Sequence, residues 1–215
     1  MTKRISKLHF ITQEIPGTDI SGQVEKACLG KIDWVQFRVK NKTSIQIREL
    51  AREVQEICIK HRVAFIINDD VYLARELAAD GVHLGKTDMQ IDQARAILGP
   101  DAIIGATANT AGDIRNILQT SADYIGLGPF RFTTTKENLS PILGLEGITG
   151  IMQQVGPTTI PVIAIGGIAE DDLEALMQTG VNGIAVSGAI NRASDPVLAT
   201  TRFVYRMEKH LKPVQ

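Results

Sequence analysis

The sequence has few of the features that mark secreted, membrane-bound or nucleic-acid-binding proteins. Its two cysteines, Cys28 and Cys58, form no metal-binding spacing and fall in amphipathic helical patterns, so we expect reduced core thiols and a cytoplasmic protein. No apolar run approaches the roughly 18 residues of a membrane span. The apolar run near the N-terminus is short, which predicts no secretory signal. The net charge of −1 gives no support for a nucleic-acid or membrane-surface partner.

The composition that remains is that of an ordinary globular protein. Of the 215 residues, 44% are hydrophobic and 22% are charged, and a chain of this length can bury a sizeable core. No linker, low-complexity tract or charge run divides it, so we expect a single domain over residues 1–215. The sequence leaves the oligomeric state open, a homo-oligomer included.

Short strand-like runs alternate along the chain with segments whose apolar residues recur at helical spacing. The predicted strands are Leu8–Thr12, Trp34–Val39, Ala64–Asn68, Gly81–Leu84, Ala102–Ala106, Tyr124–Gly128, Val162–Ile165 and Gly183–Val186. Each parallel crossover needs a helix, and eight such units fit a closed (β/α)8 TIM barrel better than an open sheet. Ligands bind such barrels at the C-terminal ends of the strands, so we expect the functional residues there.

Polar and apolar residues alternate along the second predicted strand and just beyond it. Gln36, Arg38 and Lys40 fall on one face, and apolar residues occupy the other. If the apolar face packs against the outer helices, the polar face turns inward near the mouth, where unpaired cations are strongly penalised. We interpret this face as a grip for a diphosphate. The alternatives are a solvated strand or ion pairs with acidic neighbours.

Two aspartates follow neighbouring predicted strands. Asp69 comes directly after Asn68 at the end of the third strand, and Asp88 follows the fourth. Adjacent strands lie about 4.8 Å apart, so the two carboxylates can converge on one Mg²⁺ shared with phosphate oxygens. The alternative is that each aspartate caps the helix that follows it. We interpret His83, on the fourth strand, as structural.

Two further regions predict phosphate binding. The connection from the sixth strand to about Gly144 is long for this fold, and its Thr133–Lys136 run offers hydroxyls and a cation that could close over a phosphate. The alternative is a solvated loop. Gly166–Gly167 and Ser187–Gly188 follow the last two strands, where glycines let backbone N–H groups approach an anion. We call these four residues the phosphate cup.

Together these motifs resemble the thiamin phosphate synthase family, from about Leu8 to Ile190, in the family's order and spacing. The motifs are Gln36-x-Arg38-x-Lys40, Asn68-Asp69, Gly81–Gly85 with Asp88, Thr133–Lys136, Gly144–Gly147 and Ala164–Ile168. The resemblance implies a Mg²⁺-dependent transferase that joins hydroxymethylpyrimidine diphosphate to a thiazole phosphate. It also implies a dissociative route, in which diphosphate leaves before the thiazole nitrogen attacks.

The resemblance implies a role for each matching residue. Catalytic contacts to the diphosphate would come from Arg38, Lys40 and Lys136. The Mg²⁺ ligands would be Asp69 and Asp88. The pyrimidine and diphosphate pocket would be lined by Gln36, Asn68 and Thr107. The thiazole phosphate would be bound by Thr133, Thr135, Gly167, Ser187 and Gly188.

The chain departs from the family pattern at several positions. Val39 stands where glutamate is common, and Lys86-Thr87 replaces a common Gln-Glu. Thr107 replaces a usual serine but keeps the hydroxyl, and Gly188 stands where serine is frequent. These differences concern the substrate pocket more than the reaction.

Three other functions fit part of the pattern. A related thiazole tautomerase would share the barrel and the phosphate cup, but would need a histidine after the fifth strand, where this chain has Asn109. A non-catalytic sensor of thiamin precursors would not need the metal pair or the loop lysine. A sugar-phosphate isomerase would explain the cup but not the second strand.

Overall fold

The computed structural model describes residues 3–132 and 141–209, and within them strands and helices alternate along the chain. The strands are β1 (Leu8–Ile11), β2 (Trp34–Phe37), β3 (Ala64–Asn68), β4 (Gly81–Leu84), β5 (Ile103–Ala108), β6 (Tyr124–Leu127), β7 (Val162–Ile165) and β8 (Gly183–Val186). The helices are α1 (Ile20–Leu29), α2 (Ser44–His61), α3 (Val71–Glu76), α4 (Ile91–Leu98), α5 (Ala111–Ile117), α6 (Gly144–Val155), α7 (Leu173–Gln178), α8 (Gly188–Asn191) and α9 (Pro196–Lys209).

The strands form a closed parallel barrel. Each strand pairs with the next in the chain, and β8 pairs with β1 through the register Phe10 to Val186. The predicted TIM barrel is therefore confirmed, and closure brings the C-terminal ends of all these strands into one ring. None of the helices in the described part of the chain is long and apolar enough to cross a membrane.

Some strand boundaries differ from the sequence prediction. β2 ends at Phe37, two residues early, because the N–H of Arg38 donates to Thr12 Oγ1 (2.8 Å), which in turn donates to Arg38 O (3.0 Å). β5 runs on to Ala108, because its last residues continue the ladder with β6 as far as Leu127. Hydrogen bonds between distant segments set these ends.

The helices cover the barrel with their apolar faces. In α2, Ala51, Val54 and Cys58 are buried, while Thr43 caps the first turn through a reciprocal bond with Gln46. Cys58 and its counterpart Cys28 in α1 are free and buried, as predicted. Burial raises the pKa of the Cys28 thiol to about 12, so it stays protonated and unreactive.

The interior of the barrel is filled by large side chains rather than left open. His9 stacks on Trp34 with ring centroids 4.2 Å apart, and both rings meet Tyr124 edge-on. Burial lowers the pKa of His9 to about 3, so the ring is neutral and packs as an aromatic group. The candidate site residues lie above this layer, at the mouth.

Glycine is required where β4 meets β5. A Cβ on Gly81 would lie only 2.0 Å from the carbonyl oxygen of Ile103, its partner in the β4–β5 register. Gly150, within α6, has nothing within 4 Å of the equivalent position. The two glycines thus differ in packing.

We predict that Gly81→Ala lowers the free energy of unfolding by about 3 kcal/mol or more, because one of two paired backbones must move. Gly150→Ala should instead raise it by about 0.5–1 kcal/mol, because alanine is the better helix former. Denaturant unfolding of both variants measures the difference. Equal midpoints for the two variants would contradict the register described here.

Candidate active site at the barrel mouth

Gln36 and Asn68 form a polar pair at the ends of β2 and β3. Gln36 is 3% exposed and points into the barrel, as its place in the alternating pattern predicts. Its Nε2 donates to Asn68 Oδ1 over 2.7 Å. This hydrogen bond fixes both side-chain amides at the inner wall of the mouth, where they can orient a polar ring.

Arg38 and Lys40 lie on the loop after β2 and not on the strand itself. The predicted strand, Trp34–Val39, was two residues too long, so Arg38 and Lys40 fall beyond the ladder, which stops at Phe37. The backbone N–H of Lys40 donates to Glu14 Oε2 (2.8 Å), which ties the loop to the segment after β1. The Lys40 ammonium pairs with the Asp69 carboxylate, so the cation faces the mouth.

Asp69 and Asp88 converge after β3 and β4, where each carboxyl group shifts the pKa of the other. Asp69 has a φ of +66°, a left-handed conformation that is uncommon outside glycine, and its N–H donates to His83 O over 2.8 Å. Asp88 Oδ2 accepts from the N–H of Gly85 over 2.6 Å. Strained backbone of this kind clusters at functional sites.

The structure does not support the helix-cap alternative for these two aspartates. Asp70, and not Asp69, caps α3 by accepting from Leu73 N–H. The cap position of α4 is Gln90, two residues after Asp88. Both candidate metal ligands are therefore free of a capping role.

The two carboxyl groups have opposite pKa shifts. Burial raises the pKa of Asp88, and the neighbouring Asp69 carboxylate raises it further. Burial also raises the pKa of Asp69, but hydrogen bonds from Asp88 and Lys40 outweigh it, so the net pKa of Asp69 is lowered. Asp69 is thus held ionised beside the Lys40 ammonium. The raised pKa of Asp88 reflects its burial and the repulsion between the two carboxylates.

This pair fits Mg²⁺ in a site completed by substrate. Among residues 3–132 and 141–209, no group of three or more His, Cys, Asp or Glu side chains could hold a metal ion. Mg²⁺ commonly takes one or two carboxylates and completes its shell with phosphate oxygens and water. Gly85 also favours this arrangement. Its N–H donates to Asp88 Oδ2, and a Cβ at this position would lie only 2.8 Å from the same oxygen.

Thr107, on β5, is linked to the interior of the barrel through His83. His83 Nε2 lies 3.1 Å from Thr107 Oγ1, and His83 Nδ1 lies 3.0 Å from the Tyr124 hydroxyl. His83 is 6% exposed, in line with the structural interpretation of its sequence position. It orients the Thr107 hydroxyl at the wall of the mouth.

The first half of the phosphate cup is built by backbone that only glycine adopts readily. Gly166 and Gly167 have φ values of +102° and +64°. A Cβ on Gly167 would lie 2.9 Å from both Arg131 Cβ and Phe132 O, so the loop after β7 packs directly against the segment after β6. Arg131 also pairs with Asp172, which holds the two loops together.

The second half of the cup follows β8 and contacts β1. Ser187 precedes α8, and Asn191 Nδ2 lies 3.4 Å from Ser187 Oγ and 3.3 Å from Ile11 O. At Gly188, which begins α8, a Cβ would make only ordinary van der Waals contacts, the nearest with Gln13 Oε1 at 3.6 Å. The cup therefore lies between β7, β8 and β1.

The predicted Thr133, Thr135 and Lys136 lie outside the described residues. The ends of the segment that carries them are at the mouth, because Leu143 N–H donates to Pro129 O (2.9 Å) and Gly144 N–H donates to Phe130 O (3.0 Å). The helix after this segment begins at Gly144, where the sequence analysis expected it.

Sequence reasoning missed residues that act through backbone contacts. Glu14 anchors the Lys40 loop, and Gly85 orients Asp88. Both residues follow predicted strands, so the sequence does indicate that they lie near strand ends. Their partners were not, because each contact depends on local loop geometry.

The comparisons with known proteins agree with this geometry. A profile of the family described as thiamine monophosphate synthase matches residues 8–190. A thiamine-phosphate synthase of Bacteroides thetaiotaomicron is 47% identical over 210 residues, covering 95% of this chain and 99% of that protein. One from Flavobacterium johnsoniae is 50% identical over 192 residues, covering 88% of this chain and 91% of that protein.

A solved structure extends the likeness to three dimensions. The thiamine phosphate pyrophosphorylase of Pyrococcus furiosus superposes with a TM-score of 0.83 at 32% identity, covering 96% of this chain and 97% of that one. The profile match begins at the first residue of β1 and ends in α8, so it spans the whole barrel and the site at its mouth. By sequence and by fold, the chain belongs to the thiamine monophosphate synthase family.

Proposed function

We propose that this protein is a thiamin phosphate synthase, a transferase that joins hydroxymethylpyrimidine diphosphate to a thiazole phosphate and releases diphosphate. The observation that carries the proposal is the convergence of Lys40, Asp69 and Asp88 at one side of the mouth. A cation beside two carboxylates is suited to a diphosphate bridged by a divalent metal. The phosphate cup on the other side of the mouth suits the second substrate.

The proposed reaction separates bond breaking from bond making. The bond from the pyrimidine methylene carbon to the diphosphate oxygen breaks, and its electron pair leaves with the diphosphate. The thiazole nitrogen then donates its lone pair to the resulting pyrimidine-methyl cation, forming the new C–N bond. Negative charge grows on the departing diphosphate, so preorganised cations stabilise the transition state more than the ground state.

Lys40 and Arg38 supply that charge in the proposal, together with Lys136. Lys40 is held in place by Asp69 and by the Glu14 contact to its backbone, so little reorganisation is needed when the diphosphate binds. Gln36, Asn68 and Thr107 line the adjacent wall and orient the pyrimidine. Lys136 would close the site from the loop after β6.

Asp69 and Asp88 would hold Mg²⁺. When bound, the metal would neutralise charge on the diphosphate oxygens and improve the leaving group. Gly85 holds Asp88 in position through its N–H, and the interactions of Asp69 with Asp88 and Lys40 lower the pKa of Asp69. These contacts prepare the carboxylates to bind a cation.

The thiazole phosphate would bind in the cup, with Gly167, Ser187 and Gly188 contacting it, and Thr133 and Thr135 contributing from the loop. Gly166 and Gly167, in the loop after β7, both have positive φ. Backbone N–H groups in such conformations form anion-binding concavities.

The tautomerase alternative lacks a suitable acid–base group. Asn109 Nδ2 donates to Gly128 O over 2.5 Å, so the side chain supports the ends of β5 and β6. An amide does not exchange protons at neutral pH as histidine does. We further propose that the protein acts in the cytoplasm on small molecules, without nucleic acid or membrane, which its two free buried thiols and near-neutral charge support.

The direct test is to mix purified protein with Mg²⁺ and both substrates and to measure thiamin phosphate and diphosphate. We predict equimolar products, no turnover in excess EDTA, and recovery when Mg²⁺ is added back. Full activity in EDTA would contradict the metal assignment. Binding of both substrates without any product would favour the sensor alternative.

Asp88→Asn should abolish turnover without lowering stability. The folded pKa of Asp88 is raised, so its stabilising contribution is present at low pH and lost as pH rises through that pKa. At neutral pH without Mg²⁺ the ionised side chain is therefore unfavourable, and asparagine removes the charge while its Oδ1 can still accept from Gly85. We predict a rate loss on the order of 10²-fold or more with an equal or higher melting temperature.

The exposed Asp101→Asn variant makes the same change in net charge away from the mouth and should alter neither quantity. A melting temperature that falls in Asp88→Asn but not in Asp101→Asn would mean that the Asp88 carboxylate stabilises the fold and is not held there for a metal.

Lys136→Ala should slow the chemical step more than it weakens substrate binding, because the charge that Lys136 would stabilise grows as the bond breaks. We predict a loss on the order of 10²-fold or more in single-turnover rate at saturating substrates. A rate within about threefold of wild type would make Lys136 a solvated loop residue, since removing a charge-stabilising group normally costs far more.

A further inference from the structure

Gln13 is a buried amide at the mouth that the sequence analysis did not single out. It lies just after β1 and is 5% exposed. Its backbone is fixed by Gln23, which accepts from Gln13 N–H (3.1 Å) and donates to Gln13 O (2.8 Å). Its side-chain Oε1, however, is buried without a hydrogen-bond partner among the described residues. Such atoms are rare in folded proteins and call for an explanation.

The unpaired atom faces the phosphate cup. Gln13 Oε1 lies 3.6 Å from the position that a Cβ on Gly188 would occupy. The Nε of Arg192 lies 3.9 Å from the same position. Gly188 is therefore bordered by an amide from the segment after β1 and by the guanidinium of Arg192, the residue after α8, and guanidinium groups are frequent partners of phosphate oxygens.

A terminal amide can present either a donor or an acceptor at this position. Rotation by 180° about the Cγ–Cδ bond exchanges Oε1 with Nε2 and leaves the rest of the side chain in place. No bond to a described residue holds Oε1 where it is. When an anion enters the cup, the rotated amide can donate Nε2–H to it at no loss of a protein contact.

We propose that Gln13 binds the phosphate group of the thiazole substrate, donating Nε2–H to a phosphate oxygen beside Gly188. The inference rests on the proposed function, since it adds a contact to that substrate. It makes Gln13 a specificity-determining residue, because a thiazole alcohol without the phosphate cannot accept this bond. The buried amide is unsatisfied in the free protein and satisfied in the complex.

The test measures the affinity of the full-length protein for the thiazole phosphate and for the corresponding thiazole alcohol by calorimetry. Gln13→Met keeps the length of the side chain but removes the donor, and should weaken phosphate binding on the order of 10-fold. Gln13→Glu should weaken it further, since a carboxylate repels the phosphate. Neither variant should change the affinity for the alcohol by more than about twofold, the scale of a fraction of a kcal/mol.

Two controls separate recognition from folding. Gln119→Glu makes the same charge change at an exposed position beyond α5 and should leave both affinities unchanged. Gln13→Met should not lower the melting temperature of the ligand-free protein, because it removes a buried unpaired amide. Equal weakening of phosphate and alcohol binding, or a clear loss of stability, would make Gln13 a structural residue and overturn the inference.

Failure of this inference and failure of the proposed function give different results. If both Gln13 variants bind the thiazole phosphate as wild type does and the wild type still makes thiamin phosphate, only the Gln13 contact is wrong. If the wild type makes no thiamin phosphate from both substrates and Mg²⁺, the proposed function is wrong whatever the variants do.

Discussion

Asp69 and Asp88 approach each other at the barrel mouth although their charges repel, and much of the surrounding structure opposes that repulsion. Lys40 pairs with Asp69, the Gly85 N–H donates to Asp88, and the N–H of Asp69 itself is bound to the carbonyl of His83. None of these contacts cancels both charges, as the raised pKa of Asp88 indicates. A bound cation with a diphosphate would neutralise the remaining charge of the two carboxylates. A carboxylate pair that is unfavourable without ligand is therefore expected at an enzyme's active site.

This arrangement depends on a barrel whose interior is already full. His9, Trp34 and Tyr124 pack against one another inside the strands and leave no room for ligand at that level. Above them, His83 connects the Tyr124 hydroxyl to Thr107, so the packed layer also orients a group at the mouth. A rigid interior is what allows polar groups at the strand ends to keep their positions against repulsion and strain.

The sequence predicted the barrel and the identity of most candidate residues, because period-2 and helical patterns report burial directly. It extended β2 to Val39 and so included Arg38, which was wrong, because alternation continues past Phe37 while the ladder does not. The side chain of Thr12 ends that strand, and a contact between β1 and β2 has no local sequence pattern. The roles of Glu14, Gly85 and Gln13 were missed for the same reason, since each depends on which loops closure brings together.

Several residues at the mouth are unfavourable for folding. Asp69 has a left-handed backbone, Asp88 faces a like charge, and Gln13 carries a buried oxygen without a partner among the described residues. The lower layers have aromatic stacking and, at Gly81, a glycine fitted to neighbouring backbone, and there too Trp34 Nε1 is buried without a hydrogen-bond partner among the described residues. Unfavourable features at the mouth are expected when bound ligands supply the missing partners. The proposed substrates do so in turn: a metal-bound diphosphate for the carboxylates and a phosphate monoester for the amide.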